Sequence, residues 1–166
     1  MYFIPTIPAI SNWETSQILY AVSGHSAIGT LLMRHVLFVC VENSFRSQVA
    51  EAYFNRYAPV GWKAISAGTR PAENVHPMAV ELMKEDGLDI SKQKTKPLNR
   101  ELQDLAEIAV IVCSGSSCPV IHSRKVLKWD IPDPSSMSID EARKIRDELK
   151  IRVLQLINHL NKNQSP

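Results

Sequence analysis

The sequence has few cysteines, almost no net charge and no long hydrophobic run. Three cysteines in 166 residues are an odd number at low density, which excludes a disulfide-rich secreted scaffold. Basic residues outnumber acidic ones by only 19 − 17 = 2, so bulk charge gives no reason to expect nucleic acid or a membrane surface as a partner. The content of 45% hydrophobic and 22% charged residues is that of an ordinary globular protein. The positions of the cysteines are therefore the informative feature.

Charge is scarcest in the first 32 residues, where Glu14 is the one acidic or basic residue. The longest apolar run there, residues 18–22, is far shorter than the roughly 20 residues that span a membrane. No basic stretch precedes an apolar one, so the segment does not resemble a signal peptide. We expect residues 1–32, with a short helix at about 14–22, to be a weakly structured extension or an over-called gene start. Residues 33–166 are expected to form a single domain that carries the chemistry.

Strand and helix patterns alternate from residue 35 onward. Four apolar runs rich in β-branched residues predict strands, at 35–40, 62–66, 108–112 and 126–129. Helical spacing and caps predict helices, at 46–57, 77–86, 100–105 and from 139 onward. The last helix follows a capping box of Ser138 and Glu141. It should bury Ala142, Ile145, Leu149, Val153, Leu156 and Leu160. This alternation predicts an α/β layer fold with parallel βαβ units, whose ligands bind beyond the carboxyl ends of the strands.

Residues 40–47, CVENSFRS, contain the groups that a phosphate-binding loop needs. Cys40 ends a predicted strand, five residues follow, and Arg46 then opens a predicted helix. Such a loop can direct N–H groups at an oxyanion with the helix N-terminus behind them. Arg46 can bind two oxygens of the same anion, and the positive surroundings favour a nucleophilic Cys40 thiolate. The predicted oxyanion-binding residues are Val41, Glu42, Asn43, Ser44, Phe45, Arg46 and Ser47.

Cysteine-to-arginine spacing alone is weak evidence, because Cys118 and Arg124 have the same separation. That second match fails on its context. Pro119 removes an N–H donor that a phosphate loop needs, and no amphipathic helix follows Arg124. Cys40 is therefore the predicted nucleophile, and a buried structural cysteine is the alternative.

The segment 36–51, VLFVCVENSFRSQVAE, resembles the phosphate loop of the low-molecular-weight protein tyrosine phosphatase family, which includes the thioredoxin-coupled arsenate reductases. The resemblance continues through ISAGT at 65–69, EDGLDIS at 85–91 and Asp133-Pro134 to the final helix. It covers about residues 35–160. The resemblance implies a three-layer sandwich in which a small, about four-stranded parallel sheet is flanked by helices.

The resemblance also implies a role for Asp133 as the general acid that protonates a leaving oxygen. The alternative is a simple turn, since Asp-Pro is a common turn signal, and Asp130 is a second candidate for the acid. Ser135 and Ser136 follow at the place where tyrosine phosphatases of this family usually have aromatic residues. A polar rim of this kind suits a small inorganic oxyanion.

Cys113 and Cys118 decide between a phosphatase and a reductase. By resemblance to the arsenate reductases, Cys40 forms an arsenic adduct, Cys113 attacks Cys40, and Cys118 resolves that disulfide as Cys113–Cys118 for reduction by thioredoxin. The residues between the pair, SGSS, are small and polar, as a mobile carrier requires. The alternatives are a buried Cys113 with Cys118 as a loop thiol, or a zinc site, which His122 alone would not complete.

Three smaller expectations follow from the same residues. Glu42, where many relatives have glycine, should point away from a bound anion. His76 should be a helix-entry residue, and Trp129 should lie in the core. Lys92, Lys94 and Lys96 form a basic cluster that is either solvated surface or an aid to anion steering.

The sequence therefore predicts a cytoplasmic enzyme that reduces arsenate to arsenite with thioredoxin as external reductant. No bound cofactor, metal, nucleic acid or membrane is expected. A low-molecular-weight tyrosine or small-molecule phosphatase with a cysteinyl-phosphate intermediate is the second interpretation. An oxyanion-binding or redox-sensing module without turnover is the third.

Overall fold

The computed structural model describes residues 32–163. The strands are β1 (Arg34–Cys40), β2 (Trp62–Gly68), β3 (Ile108–Val112) and β4 (Lys125–Trp129). The helices are α1 (Arg46–Tyr57), α2 (Pro77–Glu85), α3 (Arg100–Leu105) and α4 (Ile139–Lys162), with a 3-10 turn at Pro134–Ser136. The predicted extension at 1–32, other than Leu32, lies outside the described residues, as does the predicted helix at 14–22. The division of the chain near residue 32 therefore stays a prediction.

The four strands form one parallel sheet in the order β2-β1-β3-β4. After β1 the chain continues to β2, at one edge of the sheet. After β3 it continues to β4, at the other edge. This reversal between β1 and β3 creates a crevice at the carboxyl ends of the strands, where ligands of open α/β sheets bind. Cys40 is the last residue of β1, and Cys113 follows directly after β3. The predicted α/β fold is confirmed, and both cysteines lie at this edge.

Helices cover both faces of the sheet, each over its own hydrophobic cluster. The first cluster joins alternate residues of β1 and β3, such as Phe38 and Val110, to α1, α2 and α4. The second joins the intervening residues, such as Val39 and Ile111, to α3 and the segment after β3. All six α4 residues predicted to face inward are buried, and so is Trp129.

The strand and helix boundaries lie close to the predicted ones, with one difference that affects the candidate site. The sequence pattern ended β2 at residue 66, whereas the strand continues to Gly68. The extension exists because Gly68 pairs with Cys40 in the parallel register. Gly68 also donates its N–H to Lys96 O and accepts at its carbonyl from Leu98 N, both at 2.8 Å.

Helix ends follow the predicted local chemistry. His76 caps α2 by accepting from Met78 N at 3.2 Å, and Asn99 caps α3 by accepting from Leu102 N at 2.8 Å. Ser138 and Glu141 form the reciprocal capping box of α4. In the described part of the chain, none of the helices has the length and apolar character needed to cross a membrane.

A polar network joins α1, the end of α2 and α4. The Tyr53 hydroxyl donates to Asp86 Oδ2 at 2.8 Å, and Lys150 Nζ donates to the same carboxylate at 2.8 and 3.1 Å. The hydrogen bond from Lys150 lowers the pKa of Asp86. Burial, together with the bond to Asp86, raises the pKa of Tyr53. Folding therefore favours the ionised carboxylate of Asp86.

Asp86→Asn should destabilise the protein in a pH-dependent way. Because the pKa of Asp86 is lower in the folded state, its stabilisation is present above the unfolded-state pKa and is lost as pH falls through the folded-state value. We expect a loss of about 1 kcal/mol in the free energy of unfolding at pH 7, and a smaller difference near pH 3. Urea titrations at both pH values measure it. Asp140→Asn, in an ion pair whose carboxylate is 82% exposed, is the control. If the difference in the free energy of unfolding between wild type and Asp86→Asn is the same at both pH values, this account is contradicted.

Candidate active site

The loop between β1 and α1 surrounds the Cys40 thiol with hydrogen-bonding groups. Cys40 is only 1% exposed. Its Sγ accepts from Asn43 N at 3.1 Å and lies 3.0 Å from Ser47 Oγ. Helix α1 begins at Arg46, so the positive end of its dipole lies beside the loop. These contacts are of the kind that stabilise a thiolate.

The carbonyl groups of the loop are bound by a neighbouring segment, residues 69–76. The pairs are Thr69 N to Cys40 O (3.4 Å), Arg70 N to Val41 O (2.9 Å), Ala72 N to Glu42 O (2.9 Å) and His76 N to Ser44 O (2.9 Å). This second layer of backbone holds the outer side of the loop. It fixes the loop's curvature by hydrogen bonds with residues that come 29 to 32 positions later in the sequence.

Asn43 is the centre of the loop. Its backbone has φ of 51°, in the left-handed region that asparagine tolerates better than most residues. Its Nδ2 donates to Ser47 Oγ at 2.8 Å, so the Ser47 hydroxyl is directed at Cys40. Its Oδ1 accepts from Lys96 N at 2.8 Å and from Gln48 Nε2 at 3.1 Å. Asn43 thus links the thiol to segments on the outer side of the loop.

Gly68 allows the loop to lie against the end of β2. A Cβ at this position would be 2.6 Å from Val41 O and 2.9 Å from both the N and the Cβ of Asn43. Two of these three atoms are backbone, so the contact cannot be relieved by a side-chain rotation. Any larger residue at 68 must push the loop away from the sheet.

Arg46 and Asp133 meet beside the loop. The Arg46 side chain is 7% exposed, and its Nη2 lies 3.2 Å from Asp133 Oδ2. Its Nη1 donates to Ile131 O at 3.0 Å. Asp133 is half-exposed and also caps the 3-10 turn, because its Oδ1 accepts from Ser135 N at 3.1 Å. The structure therefore places the predicted oxyanion ligand and the predicted acid in direct contact, whereas Asp130 is exposed.

The other loop residues contribute mainly through the backbone. Glu42 is exposed, as expected, and its Oε2 accepts from Ser44 Oγ at 3.3 Å. Phe45 is 2% exposed and lies against His76, with ring centroids 6.2 Å apart. Val41 is partly buried and uses its carbonyl to bind the outer segment.

Cys113 and Cys118 are joined by a disulfide bond, while Cys40 is a free thiol. Cys113 is 1% exposed and packs in the second cluster, and Cys118 is partly buried against it. Residues 115–117 between them are exposed, and Gly115 has φ of 81°. Cys113 follows β3 at the same edge of the sheet as Cys40, but its disulfide packs in the second cluster.

A zinc site at this pair is incompatible with the disulfide, because zinc binds thiolates. His122 is exposed, and its backbone N donates to Gln103 Oε1 at 3.0 Å. Within residues 32–163, no group of three or more histidine, cysteine, aspartate or glutamate side chains is arranged to hold a metal ion.

Comparison with known proteins decides the family. Residues 35–165 match the sequence model of the low molecular weight phosphotyrosine protein phosphatase family. The chain belongs to this family. The match begins one residue after the start of β1 and includes the Cys40 loop, both other cysteines and Asp133.

Several members of the family with similar sequences are arsenate reductases. The arsenate reductase of Brevibacillus brevis is 37% identical over 122 residues, which are 71% of this chain and 90% of that protein. The solved arsenate reductase of Archaeoglobus fulgidus is 37% identical, with a TM-score of 0.65 over 74% of this chain and 98% of that one. The thioredoxin-dependent arsenate reductase of Corynebacterium glutamicum is 29% identical, with a TM-score of 0.68 over 82% of this chain and 66% of that one.

The predicted site of this phosphatase-family chain falls into two groups. Residues 40–47 and Asp133 are in contact with one another, whereas Cys113 and Cys118 form a separate pair. Sequence reasoning gave no role to Gly68, Gln48 or the 69–76 segment. The ISAGT motif that ends β2 was the available signal for Gly68. Its closeness to the loop depends on a strand pairing that the sequence does not display.

Gly68→Ala should weaken oxyanion binding by displacing Val41 and Asn43. We expect at least about a tenfold rise in the dissociation constant for inorganic phosphate, with about 1–3 kcal/mol lost from the free energy of unfolding. Calorimetric titration and urea unfolding measure the two effects. Gly87→Asn is the control, because a Cβ there meets nothing within 4 Å and asparagine tolerates its φ of 77°. Unchanged phosphate affinity in Gly68→Ala would show that the loop does not need this close approach.

Proposed function

We propose that this chain is an arsenate reductase that uses Cys40, Cys113 and Cys118 in sequence and a dithiol protein of the thioredoxin type as reductant. The observation that supports this most is the Cys113–Cys118 disulfide at the same sheet edge as the free Cys40 thiol. A phosphatase needs only the loop thiol. The named arsenate reductases among its relatives support the same substrate.

The first step is attack by the Cys40 thiolate on the arsenic of arsenate. A sulfur–arsenic bond forms, and one arsenate oxygen leaves as water after receiving a proton. The loop N–H groups and Arg46 bind the remaining oxygens. Asp133, held beside Arg46, is the proposed proton donor. Arsenic remains in the +5 state in this adduct.

The second step reduces arsenic. The Cys113 thiolate attacks Cys40 Sγ, a disulfide forms, and the electron pair of the sulfur–arsenic bond passes to arsenic, which leaves as arsenite in the +3 state. Cys118 then attacks Cys113, which frees the Cys40 thiolate and gives the Cys113–Cys118 disulfide. The two electrons that arsenic gains thus come from two thiols. The external dithiol restores them.

The positions of the sulfurs suggest how the relay operates. Cys40 is held by Asn43 and Ser47, whereas Cys113 packs in the second cluster. The second step therefore requires the 113–118 segment to move in the reduced protein. Cys118 is less buried than Cys113, so the external dithiol should attack Cys118. A relay of free thiols needs a reducing compartment, which favours the cytoplasm.

Phosphatase activity is the second candidate, favoured by the contact between Arg46 and Asp133 that a phosphoryl-transfer site would also use. Ser135 and Ser136, both exposed after the Asp-Pro step, form a polar rim instead of an aromatic one. This rim favours a small inorganic oxyanion over a phosphotyrosine ring.

Cys118→Ser should abolish sustained arsenate reduction without affecting hydrolysis at Cys40. Arsenate-dependent oxidation of NADPH, coupled through thioredoxin and its reductase, measures the first activity. Hydrolysis of p-nitrophenyl phosphate measures the second. We expect the arsenate turnover rate to fall at least about a hundredfold, because the disulfide can no longer reach the external dithiol.

Cys40→Ser is the control that should lose both activities. Failure of the wild-type protein to reduce arsenate with thioredoxin present would overturn the proposal. Sustained turnover in Cys118→Ser would overturn the relay. A single disulfide per wild-type protein without turnover would indicate a redox-sensing module.

A further inference from the structure

The carboxylate of Glu51 connects α1 to two other segments around the site. Its Oε2 accepts from the hydroxyl of Ser66, a fully buried residue of β2, and lies 3.3 Å from Lys96 Nζ. The side chains of Glu51 and Lys96 are 15% and 33% exposed. This is therefore a partly buried ion pair with a further hydrogen bond, of the kind that holds a fixed geometry.

Lys96 lies in a segment without regular structure, residues 93–96, that touches the outer side of the Cys40 loop. Its backbone N donates to Asn43 Oδ1 at 2.8 Å. Its Nζ also donates to Lys94 O at 3.1 Å, and Lys94 O accepts from Gln48 Nε2 at 2.9 Å. The segment has no helix or strand of its own, so hydrogen bonds set its position. Besides these contacts, Gly68 N donates to Lys96 O at 2.8 Å and Thr95 Oγ1 donates to Ala72 O at 2.6 Å.

We propose that the Glu51–Lys96 ion pair is a positioning device for the Cys40 thiol. The pair ties the 93–96 segment to α1 and, together with the bond from Gly68 N to Lys96 O, fixes the Lys96 N–H that binds the Asn43 side chain. The Asn43 Nδ2 then directs the Ser47 hydroxyl at Cys40 Sγ. The inference rests on the proposed function only in taking Cys40 as the nucleophile.

A purely electrostatic effect of these charges would have a different signature. Without Lys96, the Glu51 carboxylate is unpaired and disfavours a nearby thiolate, whereas without Glu51 the unpaired ammonium favours it. The two substitutions would then change the reactivity of the Cys40 thiol in opposite directions. Loss of positioning instead removes hydrogen-bond donors from the thiolate in both cases. Both substitutions then lower the reactivity.

The test measures the rate of Cys40 alkylation by iodoacetamide as a function of pH. Cys113 and Cys118 are replaced by serine, so that Cys40 is the single thiol, and Glu51→Gln and Lys96→Met are added separately and together. We expect about a fivefold slower reaction at pH 7 for Lys96→Met. A smaller change in the same direction is expected for Glu51→Gln, since glutamine keeps a neutral hydrogen bond. The double variant should be no slower than Lys96→Met alone.

Matched controls separate positioning from general stability. Lys96→Arg keeps the ion pair and should stay close to the parent rate. Lys150→Met removes a lysine of similar exposure, 31%, that pairs with Asp86 instead, and should not change the rate. Urea unfolding verifies that each variant is folded at the assay pH, and Lys96→Gln replaces Lys96→Met if the latter is not.

Opposite changes in the alkylation rate of the two single variants would show that charge alone acts on Cys40. Unchanged rates would show that the ion pair has no influence on the thiol. Either result overturns the inference. Alkylation requires no arsenate and no thioredoxin. A negative result here therefore leaves the proposed reductase activity intact, and absence of arsenate reduction does not affect this measurement.

Discussion

The hydrogen bonds of the Asn43 side chain are the contacts on which the candidate site depends. One amide nitrogen directs the Ser47 hydroxyl at Cys40, and the amide oxygen holds Lys96 N and Gln48 Nε2. The same residue takes the left-handed backbone conformation that turns its own N–H toward the thiol. A buried polar group is costly when it lacks partners. The fully satisfied Asn43 therefore specifies one loop geometry.

The proposed reaction requires a rigid part of the site and a part that changes its bonding. The Cys40 loop is fixed by the sheet, by α1 and by backbone bonds from residues 69–76. The Cys113–Cys118 pair flanks an exposed connection, residues 115–117, in which Gly115 supplies a left-handed turn. Oxyanion binding needs pre-organised donors, whereas thiol–disulfide exchange needs sulfurs that can meet in turn. The fold meets both needs at the carboxyl edge of one sheet.

The sequence allowed prediction of those features that depend on neighbouring residues. The period-2 and helical patterns gave the strands and helices, Ser138 and Glu141 gave the start of α4, and the CVENSFRS segment gave the loop at Cys40. The ISAGT motif included Gly68 and the basic cluster included Lys96, but neither pattern revealed their roles, because these arise where distant segments touch the loop. The pairing of Cys113 with Cys118 came from family resemblance. Neither their spacing nor their surroundings in the sequence distinguish a disulfide from two free thiols.

The central claim is that electrons reach arsenic from Cys40 and Cys113, with Cys118 as the outlet. It is tested most directly by exposing reduced Cys118→Ser protein to one equivalent of arsenate without added dithiol, then mapping disulfides by mass spectrometry and measuring arsenite. The account predicts a Cys40–Cys113 disulfide and arsenite in equal amounts, because the relay stops one step short. Cys40 and Cys113 that both remain open to alkylation, with no arsenite formed, would contradict it.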